Sequence, residues 1–264
     1  MKKTILSASL LTIFFAGFAQ ADNSLRTQTG QEIGVSISHQ KEKIGYEDDT
    51  GTDHETIKGE KLGIDYSTAM SFENDWYFKL AGRFAYGKSD ISSDLSTISF
   101  SDKNSDWYSD VRALFGKDHI VGSSVFSPYT GLGYQHKSIK ADADYSGYLF
   151  DLKRSSNLYY LPLGAVHRFA INEQSQLETT FEYDYVFSGK QKNTVEYSGV
   201  AVDDSYDKDS GFGIRFSSMY KFNDIGIGPF VEYWKLDKSK KSEYDYQELQ
   251  DKSLEFGIKA SMRF

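Results

Sequence analysis

Three groups of residues in this chain have types and spacing that could do chemistry. His39 and His136 lie in stretches of alternating hydrophobicity, and Asp142-Ala143-Asp144 follows soon after the second. An imidazole close to carboxylates can serve as a general base near neutral pH. His39, His136, Asp142 and Asp144 are therefore the candidate catalytic residues, weighed against the plainer reading that they are solvated positions near strand ends. The Asp-x-Asp triplet lacks the fuller run of oxygen ligands of a calcium loop, so no metal site is expected. No Gly-x-Ser-x-Gly, His-Glu-x-x-His or phosphate-binding loop occurs, and no cofactor is expected. With no cysteine there is neither a thiol nucleophile nor a disulfide framework.

The third group binds rather than reacts. Lys238, Lys240 and Lys241 stand beside Tyr244 and Tyr246 in a polar segment at 237–251. Ammonium groups with neighbouring phenol rings suit sulfated or sialylated glycans, through charge and stacking. The same lysines also suit lipopolysaccharide phosphates, or plain solvation. Segment 42–60 has the opposite character, with Glu47, Asp48, Asp49, Asp53 and Glu55, and 189–210 mixes lysines with aspartates. Tyr, Ser, Gly and Asp recur in these segments, a composition typical of adaptable recognition surfaces.

What must position these groups is a set of strands. From Leu254 to the end, Leu254, Phe256, Ile258, Ala260, Met262 and Phe264 fall on one face and Glu255, Gly257, Lys259, Ser261 and Arg263 on the other. A period of two over about ten residues matches a strand long enough to cross a bilayer at a tilt. The pattern recurs at 31–41, 61–72, 76–87, 106–116, 128–137, 158–169, 176–188, 211–222, 225–236 and 252–264, which predicts ten strands. Short connections at 73–75, 117–127, 170–175 and 223–224 alternate with long polar ones at 42–60, 88–105, 138–157, 189–210 and 237–251. The expected fold is a transmembrane antiparallel up-and-down β-barrel. Its termini and short turns would be periplasmic and its five long loops extracellular. Trp76, Trp107, Tyr185 and Tyr233 fit interfacial girdles. Inward positions carry both signs: Lys61, Lys79, Arg83, Arg112, Arg168, Arg215, Lys221, Lys259 and Arg263 against Asp65, Asp110, Glu178, Glu182, Asp184, Glu232 and Glu255. A ten-stranded barrel is narrow, so these are expected to pair across the lumen rather than line an open channel.

The start of the chain agrees with export. Lys2 and Lys3 precede an apolar run from Ile5 to Phe18 and a small-x-small site at Ala19-Gln20-Ala21. This predicts a signal peptide over 1–21 and one barrel domain over 22–264, in the bacterial outer membrane. The mean hydropathy of −0.52 does not oppose this, because an alternating strand averages to neutrality. The net charge of −8 becomes −10 without Lys2 and Lys3 and excludes nucleic acid as an expected partner. Expected partners are outer-membrane lipid and lipopolysaccharide, with host glycans or matrix proteins at the loops.

The terminal strand resembles the closing strand of bacterial outer-membrane barrels, which commonly ends in phenylalanine. Ten strands with five long loops resemble the omptin family of outer-membrane proteases and the Opc-type adhesins. Glu32-Ile33-Gly34-Val35-Ser36-Ile37 followed by Lys41-Glu42-Lys43 is similar to the first omptin strand. The run 211–235 is similar to the penultimate hairpin of both groups, and Gly228-Pro229-Phe230 to part of an Opc-type hairpin. The omptin resemblance implies a carboxylate pair facing an Asp-His pair across the barrel mouth. The corresponding stretch here, Lys190-Gln191-Lys192-Asn193-Thr194-Val195-Glu196-Tyr197, has no histidine. The expected function is therefore a surface-exposed adhesin or interaction protein acting through its loops. The alternatives are an omptin-like protease with a displaced catalytic pair, or a narrow channel.

Overall fold

The computed structural model describes residues 25–48, 51–93, 98–100, 104–145, 147–240 and 247–264. The expected signal peptide lies outside the described residues. Ten long strands follow in order: β1 Gly30–Asp48, β2 Gly51–Ser71, β3 Trp76–Ser93, β4 Asn104–Lys117, β5 Ser124–Tyr145, β6 Tyr148–Asn172, β7 Ser175–Tyr197, β8 Gly211–Phe222, β9 Ile225–Leu236 and β10 Gln247–Arg263. Each pairs antiparallel with its sequence neighbours, and β1 pairs with β10 from Glu32↔Arg263 to Glu47↔Gln247, so the sheet closes. Closure leaves no edge along the crossing segments and satisfies their backbone groups within the barrel.

The outer face follows from the alternation. Val35, Ile37, Leu62, Ile64, Phe84, Leu132, Phe181, Phe256 and Ile258 all point outward and are exposed, Leu62 by 69%. On a water-soluble sheet such a continuous apolar surface is not tolerated; against lipid it is what the strand requires. Trp76 stacks on Phe115 near the end where the short turns lie. At that end Asn74 and Asp75 (φ 59° and 68°) and Asn223 (φ 50°) make the tight reversals.

All ten expected strands are present, but several run far beyond their expected ends. β5, β6 and β7 have 22, 25 and 23 residues. A tilted crossing needs only about 9–11 residues, so each continues for about 11–16 more, or about 35–50 Å along the strand. Most of the expected long loops at 42–60, 138–157 and 189–210 are thus paired β-wall. Polar sequence did not prevent this, because a neighbour on each side supplies the backbone partners. Ser198 and Gly199 (φ 50° and 79°) turn the β7 tip back into a short strand, Val200–Asp207, which pairs with Lys190–Tyr197. A second short strand, Ile98–Phe100, pairs with Ala143–Tyr145, and a third, His119–Val121, with the start of β5. A bulge at Phe187, between Tyr160↔Val186 and Tyr159↔Ser188, marks where β7 leaves the apolar belt.

Candidate functional site: a closed lumen beneath a projecting wall

Most of the inward charges pair within the lumen as expected; Arg263 instead donates to the Thr29 carbonyl oxygen, and no ion pair joins Lys79 among the described residues. Arg215 on β8 is the centre of the middle layer. Its Nη2 is 2.8 Å from Asp110 Oδ2 on β4, and its Nε is 2.8 Å from Asp184 Oδ2 on β7. Glu182 and Glu232 approach to 3.3 Å. Arg112 shares Glu182 at 2.5 Å. Arg83 pairs with Glu255 at 2.6 Å, and Glu255 also accepts from Tyr108 and Ser38. Aromatic rings fill what the charges leave. Arg215 lies over Tyr160 and Trp234, and Arg83 lies 4.3 Å over the centre of Phe230. Guanidinium groups suit this role because one planar fork serves several carboxylates and stacks on rings.

Tyr160 reaches the middle layer because its cross-strand partner is Gly133. A Cβ on Gly133 would collide with the Tyr160 ring, so only glycine lets the ring lie flat on β5. The Tyr160 hydroxyl then donates to Asp110 Oδ2 at 2.7 Å and accepts from Arg215 at 2.9 Å.

Below this layer, toward the turns, lies a cavity of about 1010 Å3. Glu178 joins Arg168 and Lys221 there, and Lys259 pairs with Asp65 at 3.3 Å. The chain ahead of β1 turns in beneath it: Leu25 is buried, Arg26 pairs with Asp75, and the Thr27 amide donates to Asp118 at 2.5 Å. Above the middle layer, Leu158, Val186 and Leu236 pack around Tyr160 and Trp234. Higher still come the buried pairs Lys61–Asp106, Lys137–Glu42 and Lys208–Glu248, and an Ile44–Ile57–Ile139 cluster. Among the described residues, side chains fill the lumen from its middle layer up to these pairs.

The expected catalytic residues do not converge. His39 shares the outward parity of Val35 and Ile37; its Nδ1 is 2.7 Å from Glu60 on the outer face, and its ring tilts against Phe256. His136 faces outward on β5, 2.8 Å from Asn157 Oδ1 and 5.0 Å ring to ring from Trp107. The two histidines are four strands apart, roughly 19 Å around the wall. Because β5 continues as a strand, Asp142 and Asp144 point out with His136 and only Ala143 points in, buried. Asp144 caps the tip by accepting from the Gly147 amide at 2.8 Å. A loop over 138–157 would free these carboxylates to approach the histidines; the period of two of a continuing strand fixes them on the outer face.

Of the expected ligand-binding cluster, Lys238 is exposed and Lys240 pairs with Asp209 at 2.9 Å. That hydrogen bond holds the Lys240 ammonium above its ordinary range. Lys241, Tyr244 and Tyr246 lie outside the described residues.

The projecting wall carries a further surface, one absent from the sequence expectations. Tyr197 pairs with Val200 and Val195 with Val202, which puts all four on one side of the hairpin. Tyr148 and Phe150 of β6 join Tyr197 at ring separations of 5.9 and 5.0 Å. Tyr148, Val200 and Val202 are exposed by 56%, 67% and 52%, well past the lipid-facing belt. The signal was present in the sequence: two β-rich dipeptide repeats flanking Ser198-Gly199 are a hairpin pattern.

No protein-family model matches this sequence, and no curated protein sequence does. Solved structures do match. The outer membrane protease OmpT from Escherichia coli aligns over 89% of this chain and 97% of its own, with a TM-score of 0.64 and 9% identity. The chain has the fold of a ten-stranded outer-membrane β-barrel. A major outer membrane protein from Thermus thermophilus aligns at a TM-score of 0.45 and 14% identity, over 87% of this chain and 99% of its own. Ail, the attachment invasion locus protein of Yersinia pestis, aligns at 0.34 and 16%, over 90% and 100%. The omptin resemblance therefore holds as a resemblance of fold. For this outer-membrane barrel, the apolar belt and the closed sheet are the physical counterparts of that likeness.

Proposed function

We propose that this barrel is a surface-exposed interaction protein, an adhesin whose binding surface is the projecting wall of β5, β6 and β7. The single observation that carries this reading is the exposed patch of Tyr148, Val195, Tyr197, Val200 and Val202 on strands that run past the membrane belt. Exposed aromatic and branched side chains on a rigid scaffold are the composition of a protein-binding hot spot. In this reading the turns and both termini face the periplasm and the wall faces outward, as short turns and long extensions do in bacterial barrels. The partner would be a host protein presenting an apolar patch, or a matrix glycoprotein, with Lys238 and Lys240 at the flank for anionic groups.

The filled lumen weighs against a channel. The outward histidines weigh against a protease, although OmpT, which shares the fold, is one.

Bacteria displaying the barrel are tested against host cells, matrix proteins and sulfated or sialylated glycans. Saturable binding is expected, abolished by Tyr148→Ser with Tyr197→Ser. Binding lost instead on replacing 237–251 by a Gly-Ser turn would move the site to the lysine–tyrosine cluster. Binding to no member of the panel, with surface display verified, would overturn the adhesin reading.

A further inference from the structure

The outer face of the β9–β10–β1 seam carries three lysines in a row. Lys235 on β9 lies directly opposite Lys252 on β10, and Lys252 directly opposite Lys43 on β1. One step nearer the turn end, the matching row is Tyr233, Leu254, Lys41 and, on β2, Lys58. The apolar belt thus ends on this seam at Tyr233 and Leu254, and a basic rank begins at once. Lys41, Lys43, Lys58 and Lys252 are exposed and Lys235 is half-buried beside Phe212.

Like charges directly opposite each other across strands repel, with Cβ atoms about 5 Å apart. Among the described residues nothing offsets this row. Three described carboxylates share the outer face nearby. Glu60 is engaged by His39, Asp90 lies opposite Lys58, and Asp237 lies two residues beyond Lys235. Among the described residues none of them forms an ion pair with Lys43, Lys235 or Lys252. Elsewhere on the wall the same conflict is relieved locally. Lys140 lies opposite Lys153, but the next outward pair on those two strands is Asp142 and Asp151.

We infer that Lys43, Lys235 and Lys252, with Lys41 and Lys58, form a binding site for the phosphate groups of a glycolipid in the outer leaflet. The height of the row selects a lipid-borne phosphate over a soluble one. Long lysine stems lie along the apolar surface and raise their ammonium groups to headgroup level, where phosphates are concentrated. An ammonium acts as a point charge with rotatable donors, so two phosphates on one headgroup can be shared among several lysines without fixed geometry. Filling the site turns cross-strand repulsion into bridging, which makes the barrel's closing seam its lipid-dependent element.

The full barrel, refolded into phosphatidylcholine vesicles containing a small fraction of bisphosphorylated lipid A, is extracted in mild detergent and its retained lipid measured by native mass spectrometry. Wild type is expected to retain the lipid. The Lys43→Gln, Lys235→Gln, Lys252→Gln triple variant should retain it about tenfold less, with the difference shrinking at high salt. Lys140→Gln with Lys153→Gln should behave as wild type. Circular dichroism verifies folding; if the triple variant does not fold, the three single variants carry the test, each retaining less lipid. Equal retention by wild type and variants would overturn the assignment. So would equal retention of lipid A stripped of its phosphates, or displacement by excess inorganic phosphate, which would mark a site for a free anion.

Discussion

Arg215 Nη2 sits 2.8 Å from Asp110 Oδ2, joining β8 to β4 across the lumen between residues 105 apart in sequence. Asp184, Glu182 and Glu232 surround the same guanidinium, so one cation answers several buried carboxylates. Arg215→Ala would leave Asp184 and Glu232 buried without their ion-pair partner, while Glu182 and Asp110 keep Arg112, at a cost of about 3–5 kcal/mol. The expected outcome is a clearly lower urea midpoint for the refolded barrel, with Arg215→Lys intermediate because an ammonium lacks the fork. An unchanged midpoint for Arg215→Ala would mean that water already carries the network.

The same layer predicts electrical silence. Arg83 over Phe230 and Arg215 over Trp234 block the lumen between the lower cavity and the extended end. Wild-type barrels inserted in a planar bilayer should show no steady conductance. Arg83→Ala combined with Arg215→Ala, if folded, should show openings. Steady wild-type conductance would contradict a closed lumen.

Gly133 and Tyr160 should behave as a unit. A methyl at Gly133 collides with the Tyr160 ring and must push its hydroxyl off Asp110. Gly133→Ala should destabilise the barrel by about 1–3 kcal/mol, the usual cost of overpacking. Adding Tyr160→Leu should cost less in that background than in wild type, because the clash has already been relieved. Additive effects in a double-mutant cycle would separate the two residues.

Asp251 gives the extended end a pH response. It is buried beyond the apolar belt, between Leu236 of β9 and Ile44 of β1. Burial pushes its carboxyl up to about 8, helped by the Glu42 and Glu248 carboxylates and opposed by Lys208 and Lys137. A folded value above the unfolded one near 3.8 means that the fold favours the protonated acid. Its contribution is therefore fully present below the unfolded value and is lost as pH rises toward about 8. Asp251→Asn keeps the neutral shape, so it should match wild type at low pH and be more stable at pH above about 8, by an amount on the order of a few kcal/mol. Protease nicking of the wall across that range is the readout. A parallel pH response in Asp251→Asn would assign the effect to another group.

Much of the fold was legible in the sequence because a strand's period of two is local. Leu177 to Phe187 alternates whatever its neighbours do, and each of the ten expected strands is present. The inward charges were legible for the same reason, as parity alone puts Arg215 and Asp110 on the inner face. Partner choice was not legible. Nothing near position 215 names residue 110, and only closure of the sheet brings β8 opposite β4.

The candidate sites divide along the same line. In sequence the polar segment 138–157 reads as a loop, which would leave His136, Asp142 and Asp144 together beyond a strand end. Closure instead gave that segment partners on both sides and kept it in the strands, so alternation carried the triplet to the outside. It likewise set Lys43 beside Lys252 and Lys235, bringing the first strand against the last two, and raised Tyr148 and Tyr197 onto one wall. The chain by itself determined strands, faces and the bilayer-crossing belt, since these depend on residues two apart. Register and closure, which depend on residues as far apart as Glu32 and Arg263, decided which side chains meet.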